Sequence, residues 1–456
     1  MLDKDIGKWR TYATEILRSH GLTPFRKILT PDLFQSILPY SPRSSTVLIP
    51  EVVFWLMATV ALGDGAMAAA AVSFWATLRA TLPYLASEPV TEEAFCIARK
   101  SLPLRFFRQL FEQVLARFDR EMPHGYRWKG FRLLGIDGMD LELPYSSLLQ
   151  ETYPAASNQY GPRQRPQARL VGLVGLWDGL CHGFRLVPTK YSEQRCARIL
   201  IKALKPADLL LTDRNFPDFH TMAMVVSRGA DFLFHLPSNR FGKLPGQLTR
   251  SNRTDEWYVV LNSSKSLKKK CPYLPASLKA RIIKYQIPGF RHSWLITSLL
   301  DTEKYPYEQM VTLYHERWRH ETAHREWKYT LQIGNLRCKS SQGIVKEVLV
   351  QMTLNNVIRW IMAEAAGDGH RPVDLQFLAS KRLILAAIPV MSVAGTTHLP
   401  QIYRNLLESI AQMAILVRPG RKYPRRFDES PRYKGHGKSV IPAKLPLSKE
   451  VHHAFI

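Results

Sequence analysis

Tyr314, Arg317, Glu321 and Lys328 follow one another at intervals of three, four and seven residues. On a helix turning about 100° per residue, the last three fall within roughly 60° of Tyr314, so all four share one stripe. A phenol, a guanidinium, a carboxylate and an ammonium so arranged suit a phosphodiester. The carboxylate holds a divalent cation while Arg and Lys pair with phosphate oxygens, the Arg through a bidentate fork. The same stretch, "RHETAHREWK" at 319 to 328, also contains His320-Glu321-x-x-His324. In that H-E-x-x-H pattern two imidazoles at i and i+4 hold zinc, and the Glu acts as general base of a metallopeptidase. The zinc reading needs a third ligand. The extended pattern with a third His fails because position 327 is Trp and position 330 is Thr. Glu347 is a downstream carboxylate that nothing marks out, and the charged Arg325 and Glu326 follow the second His. The histidines therefore read as bystanders and Glu321 as part of the stripe, with a zinc peptidase kept as the alternative.

Two further acids could join Glu321. Asp137 in "LLGIDGMD" and Asp213 in "LLLTDRNF" each end an apolar strand run, where the strand holds the side chain rigidly and its tip can face a cleft. Ordinary turn chemistry, above all at Asp137-Gly138, is the plain alternative. Three carboxylates together supply the hard oxygen donors that Mg²⁺ or Mn²⁺ prefers.

The elements that must position these acids change character along the chain. Residues 1–125 read as all-helical: Pro50-Glu51 opens a helix, "VVFWLMATVALGDGAMAAAAVSFWATL" reads as a buried helical hairpin, and "PVTEEAFCIARKSLPLRFFRQLFEQVLARF" repeats apolar positions every three to four residues. Asp64-Gly65 cuts the hairpin into runs shorter than the roughly 18 residues of a membrane span. Residues 126–237 alternate strands and helices, as a mixed α/β sheet does. Two β-rich runs flank Asp178-Gly179, a strong hairpin signal. Residues 238–300 combine turn residues, short β-rich runs and Lys268-Lys269-Lys270, and read as an inserted β-rich subdomain with a basic face. Residues 301–400 hold two long helices, expected over 307–332 and 341–365. Residues 401–456 add a helix and a Pro- and Gly-punctuated basic tail, "RPGRKYPRRFDESPRYKGHGKSVIPAKLP".

Charge points to the partner. Lys and Arg number 63 against 38 Asp and Glu, a formal net charge of +25, and the excess is spread over the chain. Such a field attracts polyanions, of which nucleic acid is the commonest large one. Five widely spaced cysteines form no C-x-x-C pair, which argues for a reducing compartment rather than a disulfide framework. The N-terminal stretch lacks an apolar core followed by a cleavage site, so a cytoplasmic protein is expected, with no membrane partner.

With these residues in view, the chain resembles the insertion-sequence-four family of DDE transposases. Tyr314, Arg317, Glu321 and Lys328 match that family's Y-(2)-R-(3)-E-(6)-K signature, and "WLITSLLD" with "YPYEQMVTLYHERW" before it has the same look. "IDG" at 136 to 138 and "TDRNF" at 212 to 216 resemble its first and second acid regions, "LTPFRKILTPDLFQSILP" its N-terminal domain, and "RPGRKYPRR" its tail. The resemblance implies an RNase H-like core carrying Asp137, Asp213 and Glu321, a β-rich insertion between the second and third acids, and an all-helical N-terminal DNA-binding domain. It implies that the three acids hold two Mg²⁺ or Mn²⁺ ions, that Tyr314, Arg317 and Lys328 grip phosphates, and that Trp257 or Trp294 holds an extruded base. The implied partners are double-stranded DNA, as terminal inverted repeats and as target, and a second copy of the chain in a synaptic complex. The implied chemistry is cutting and strand transfer through a hairpin intermediate, in a bacterial cytoplasm at the nucleoid. A catalytically inactive DNA-binding derivative is the remaining alternative.

Overall fold

The structure is a computed structural model that describes residues 24–39, 48–62, 75, 90–122, 126–155, 157–158, 161–162, 165–241, 246–251, 255–286, 291–367, 370–394 and 397–415. The second half of the expected helical hairpin and the basic tail lie outside the described residues.

One ten-stranded mixed sheet organises the chain. In chain order its strands are β1 (Arg127–Trp128), β2 (Phe131–Glu142), β5 (Gln167–Gly175), β6 (Cys181–Pro188), β7 (Asp208–Thr212), β8 (Asp231–Leu236), β9 (Gly246–Arg250), β10 (Glu256–Asn262), β11 (Ser277–Tyr285) and β12 (Ser293–Thr297). The short β3 (Ser157–Asn158) and β4 (Gly161–Pro162) pair only with each other. The strand order is β6-β5-β2-β7-β8-β12-β11-β10-β9, with β1 paired to β2. The β5 and β6 strands form the expected antiparallel hairpin, while β2, β7 and β8 run parallel. An antiparallel trio joined to two parallel strands, with helices on both faces, is an RNase H-like core.

The apolar runs explain why this sheet is buried on both sides. Along β7 and its neighbours successive residues alternate between two cores. Leu134, Ile136, Leu210, Phe232 and Phe234 pack with the helices Glu193–Leu200 and Phe219–Ser227 on one face. Leu133, Leu209, Leu211 and Leu233 pack with Met310 and Leu313 of the helix Tyr307–His315 on the other. A strand covered on both faces reads as a continuous apolar run, which is why "LLL" ends so abruptly at Asp213.

The inserted strands of residues 238–300 pair with the central sheet. β12 pairs antiparallel with β8, and β11, β10 and β9 follow, so the insertion prolongs the central sheet. Val259, Ile282 and Ile296 join the same core as Leu210 and Phe232. A buried ion pair braces this extension: Arg281 Nε donates to Glu256 Oε2 at 2.8 Å, and both side chains are at most 1% exposed.

The described N-terminal helices are Pro31–Ile37, Pro50–Leu62, Glu92–Ser101 and Leu104–Glu121, the second opening at Pro50 as the sequence suggests. Thr30 and Thr91 cap the first and third by accepting from Leu33 N and Ala94 N. They bury Phe34, Phe54, Trp55 and Phe106 in one core with the helix Ser341–Ala366 and with Trp327. The N-terminal region is thus welded to the helix that backs the site.

The expected single helix over 307–332 is broken into four pieces. The helix Tyr307–His315 gives way to a 3₁₀ turn at Glu316–Trp318, a second α-helix at Arg319–Arg325 and a π turn at Glu326–Thr330. Side chains hold both irregular turns. Glu316 Oε2 accepts from Trp177 Nε1 at 2.8 Å and from Arg319 Nε at 2.5 Å. In the π turn Leu331 N donates to Glu326 O at 2.9 Å, Glu326 pairs with Arg359, and Trp327 Nε1 donates to Asn355 Oδ1 at 3.1 Å. π turns of this kind mark functional sites more often than chance.

Candidate active site

Strand register brings the first two acids together. β2 and β7 pair in parallel as Arg132↔Asp208 through Gly135↔Leu211. Continuing that register two residues sets Asp137 beside Asp213, just past the carboxyl end of β7. Alternation along each strand points both toward the face covered by the helices that begin at Tyr307. The carboxylates feel each other: Asp213 is pushed above the usual carboxylate range, first by burial and then by the charge of Asp137, against a hydrogen bond from Asn215 N–H and the nearby Arg317. Asp137 Oδ1 accepts from its neighbour Gly138 N at 2.8 Å, and Asp213 Oδ1 from Asn215 N at 2.9 Å. Both carboxylates are therefore fixed by local backbone.

Glu321 enters on the helix Arg319–Arg325, which packs against β2. Its side chain is 44% exposed and accepts from Arg317 Nη2 at 3.4 Å. Arg317 is the link in the set. Its guanidinium bonds Glu321, lies 4.6 Å from the Trp318 ring centroid, and its charge acts on Asp213 and Tyr314.

Tyr314 departs from the expected exposed stripe. It is only 6% exposed, packs in the core beside the His235 ring, and burial drives its phenol far above the usual range. A neutral phenol buried against Arg317 steadies that guanidinium and does not face solvent. Lys328 is exposed on the π turn beside Tyr329. The 3₁₀ turn at Glu316–Trp318 and the π turn at Glu326–Thr330 interrupt the helix, so the four residues do not share one straight helical face. Trp257 on β10 and Trp294 on β12, with β11 between them, bring their rings together at a tilt of 45°, centroids 5.4 Å apart. They form one aromatic pair.

Both histidines pack beside Asp137. His320 is 1% exposed and its Nε2 lies 3.2 Å from Gly172 O. Because a carbonyl only accepts, Nε2 carries the proton and Nδ1 the lone pair. His324 stacks edge-on against His320 with centroids 4.3 Å apart. Burial is the leading cause that pushes His320 down to about 4 and lowers His324 as well. Two glycines make room for this packing. A Cβ on Gly135 would stand 3.0 Å from His320 Cδ2, and one on Gly172, the strand partner of Asp137, 2.8 Å from the Trp327 ring. The helix bearing Glu321 is seated on β2, the strand bearing Asp137, through His320, and the π turn that follows it is seated on β5 through Trp327.

Among the described residues, Asp137, Asp213 and Glu321 do not themselves gather their donor atoms within 4.8 Å; the trio that does is Asp137, His320 and His324. Sequence reasoning also missed Glu193. It rises from the opposite face, where a Cβ on Gly138 would meet its Oε1 at 2.7 Å. Burial and then the charge of Asp137 raise its pKa. Its place in the first turn after the capping Ser192 is so ordinary that no sequence signal separates it from a helix-start acid.

An all-carboxylate set at a strand edge, with one member raised by its neighbour's charge, is what a divalent cation would relieve. The described helices include none long and apolar enough to cross a membrane. Residues 128–356 match the family described as Transposase DDE domain. The chain is 25% identical over 346 residues to the Escherichia coli (strain K12) protein "Transposase InsG for insertion sequence element IS4", covering 75% of this chain and 77% of that one. A solved structure, "Cryo-EM structure of piggyBac transposase synaptic complex with hairpin DNA (SNHP)", aligns with a TM-score of 0.44 and 10% identity over 85% of this chain and 84% of that chain. The match spans the strands that carry Asp137 and Asp213 and the helix that carries Glu321, and by it the chain belongs to the DDE transposase family, on its insertion-sequence-four branch, a family of enzymes that cut and join DNA.

Proposed function

We propose that this transposase cuts at the terminal inverted repeats of an insertion sequence and joins the freed 3′-OH ends to target DNA, with Asp137, Asp213 and Glu321 as its catalytic acids. The observation that carries the reading is the parallel pairing of β2 with β7, which continued two residues sets Asp137 beside Asp213, with the helix of Glu321 packed on β2. DDE enzymes use divalent metal ions, and the donor set fits Mg²⁺ or Mn²⁺ because every donor is a hard carboxylate oxygen. A pair of such ions would be held by Asp137, Asp213 and Glu321. When bound, such a pair activates an attacking oxygen and stabilises the leaving oxygen at phosphorus.

The chain's own residues supply the rest. Arg317, held by Tyr314, Trp318 and Glu321, turns its remaining donors toward a phosphate, and the exposed Lys328 holds the next one as a point charge. Tyr314 acts through Arg317. The Trp257–Trp294 pair offers an aromatic surface on which an extruded base would stack. One site serves water first, then the 3′-OH on the opposite strand to form a hairpin, then the 3′-OH on target DNA. Two copies of the chain would hold the two ends together.

The test is cleavage of a labelled element-end duplex with Mg²⁺ or Mn²⁺. Asp137→Asn, Asp213→Asn and Glu321→Gln should each lower the cleavage rate by about a thousandfold or more while end binding in a gel-shift assay changes little. Wild-type nicking by Asp137→Asn or Glu321→Gln would show the assignment to be wrong.

A further inference from the structure

The helix bearing Glu321 also carries two imidazoles, His320 and His324, that the phosphoryl-transfer chemistry does not use and that reach Asp137 on β2. One donor atom each from Asp137, His320 and His324 lies within 4.8 Å of the other two. Donors on a tetrahedral ion at about 2.1 Å are roughly 3.4 Å apart, so modest side-chain rotations close the set. The two imidazoles come from one helix at i and i+4, the spacing that puts both rings on one side. Both carry a buried nitrogen with no hydrogen-bond partner, Nδ1 of His320 and Nε2 of His324. For His320 the chemistry is decided by its neighbour: Nε2–H donates to Gly172 O, so the orphaned Nδ1 is a lone pair directed away from that bond. Leaving a buried polar nitrogen unsatisfied is costly, and a metal ion is the partner that satisfies two at once. Burial also keeps both rings neutral, the state that ligates.

We propose that Asp137, His320 and His324 form a site for a borderline transition metal such as Zn²⁺ or Co²⁺, and that an ion bound there withdraws Asp137 from the carboxylate set and inhibits DNA cleavage. Two imidazole nitrogens with one carboxylate oxygen favour those ions over Mg²⁺, which takes oxygen donors and keeps its waters. Three protein ligands leave at least one open position. The inhibitory half rests on the assignment of Asp137 as a catalytic acid; the binding half does not. This is not the peptidase pattern, because Glu321 is turned to Arg317 and not to the histidines.

The experiment uses the full chain, tag-free and stripped with a chelator, titrated with Co²⁺. Wild type should take up one equivalent with visible ligand-field absorption of a four- or five-coordinate ion, and Zn²⁺ should bleach it. Loss of an outer-shell partner already weakens metal sites about 10- to 100-fold, so His324→Gln and Asp137→Asn should weaken binding at least about tenfold. Glu321→Gln and Asp213→Asn should bind as wild type does. His320→Gln is read only if its urea midpoint shows it folded; His324, less enclosed, is the primary variant. Equal Co²⁺ affinity in wild type and His324→Gln overturns the site. In a second arm Zn²⁺ is added to Mg²⁺-dependent cleavage, each protein normalised to its own zinc-free rate. The half-inhibiting Zn²⁺ concentration should rise at least about tenfold in His324→Gln; equal inhibition overturns the competition. If Co²⁺ binds as expected while Asp137→Asn still cuts DNA, the catalytic assignment fails and the metal site stands. If Asp137→Asn is inactive but wild type binds no Co²⁺, the reverse holds.

Discussion

Gly172→Ala is a one-methyl probe of how the third acid is seated. Gly172 pairs with Asp137 across β2 and β5, and a Cβ there would stand 2.8 Å from both Cη2 and Cζ3 of Trp327. Ordinary contact begins at 3.4 Å, so strand or indole must yield by roughly 0.6 Å. The indole has little freedom: it is fully buried and its Nε1 is tied to Asn355 Oδ1 at 3.1 Å. Overpacking of this sort costs about 1–3 kcal/mol. The displaced element also carries Glu321, and misplacement by about 1 Å costs roughly 100-fold in rate. Gly172→Ala should therefore lose about 1–3 kcal/mol in urea unfolding and slow cleavage about 10- to 100-fold, with end binding little changed. Gly183→Ala, one strand over, is the control, because its Cβ would meet only Leu200 Cδ2 at an ordinary 3.4 Å. Its stability should stay within about 1 kcal/mol of wild type. Trp327→Phe removes the ring atoms that clash at the expense of the Asn355 bond. Combined with Gly172→Ala it should show a favourable coupling of about 1 kcal/mol or more in a double-mutant cycle. Wild-type stability and cleavage in Gly172→Ala, or strict additivity in the double variant, would refute this account of the seat.

Two further outcomes test the frame around the site. Glu256→Ala strands the Arg281 guanidinium, 0% exposed, and should cost about 3–5 kcal/mol in urea unfolding; a loss under about 1 kcal/mol would mean that the paired charges contribute nothing beyond their volume. At Asp374, burial alone would raise the pKa, but the hydrogen bond and charge of Arg371 and the charge of Arg319 hold it below the ordinary 3.8. A folded-state pKa below the unfolded one contributes stability above the unfolded value and loses it as pH falls through the folded value. The deficit of Asp374→Asn in urea midpoint should therefore be full at pH 6 and shrink below about pH 4; a deficit that grows with acid would reverse the sign of the argument.

Periodicity and residue type were enough to find the strand that stops before Asp213, the β5–β6 hairpin and the capped N-terminal helices, because those features are set by interactions within a few residues of chain; β2, by contrast, runs past Asp137 to Glu142 because β5 continues to pair with it. Asp213 stood out for the same reason: an acid closing an all-apolar strand is a local anomaly. Tertiary contact decided what no short window contains. The helix over 307–332 breaks into α, 3₁₀, α and π pieces because Trp177, Arg359 and Asn355, remote in sequence, bond Glu316, Glu326 and Trp327. That break buries Tyr314, displaces Lys328 from the stripe and seats His320 over Gly135. The insertion became part of the main sheet because β8 offered β12 an edge to pair with, a backbone event to which side-chain patterning is blind. Which atoms can hold a metal together depends on distances between chain segments, and only the packed structure fixes those.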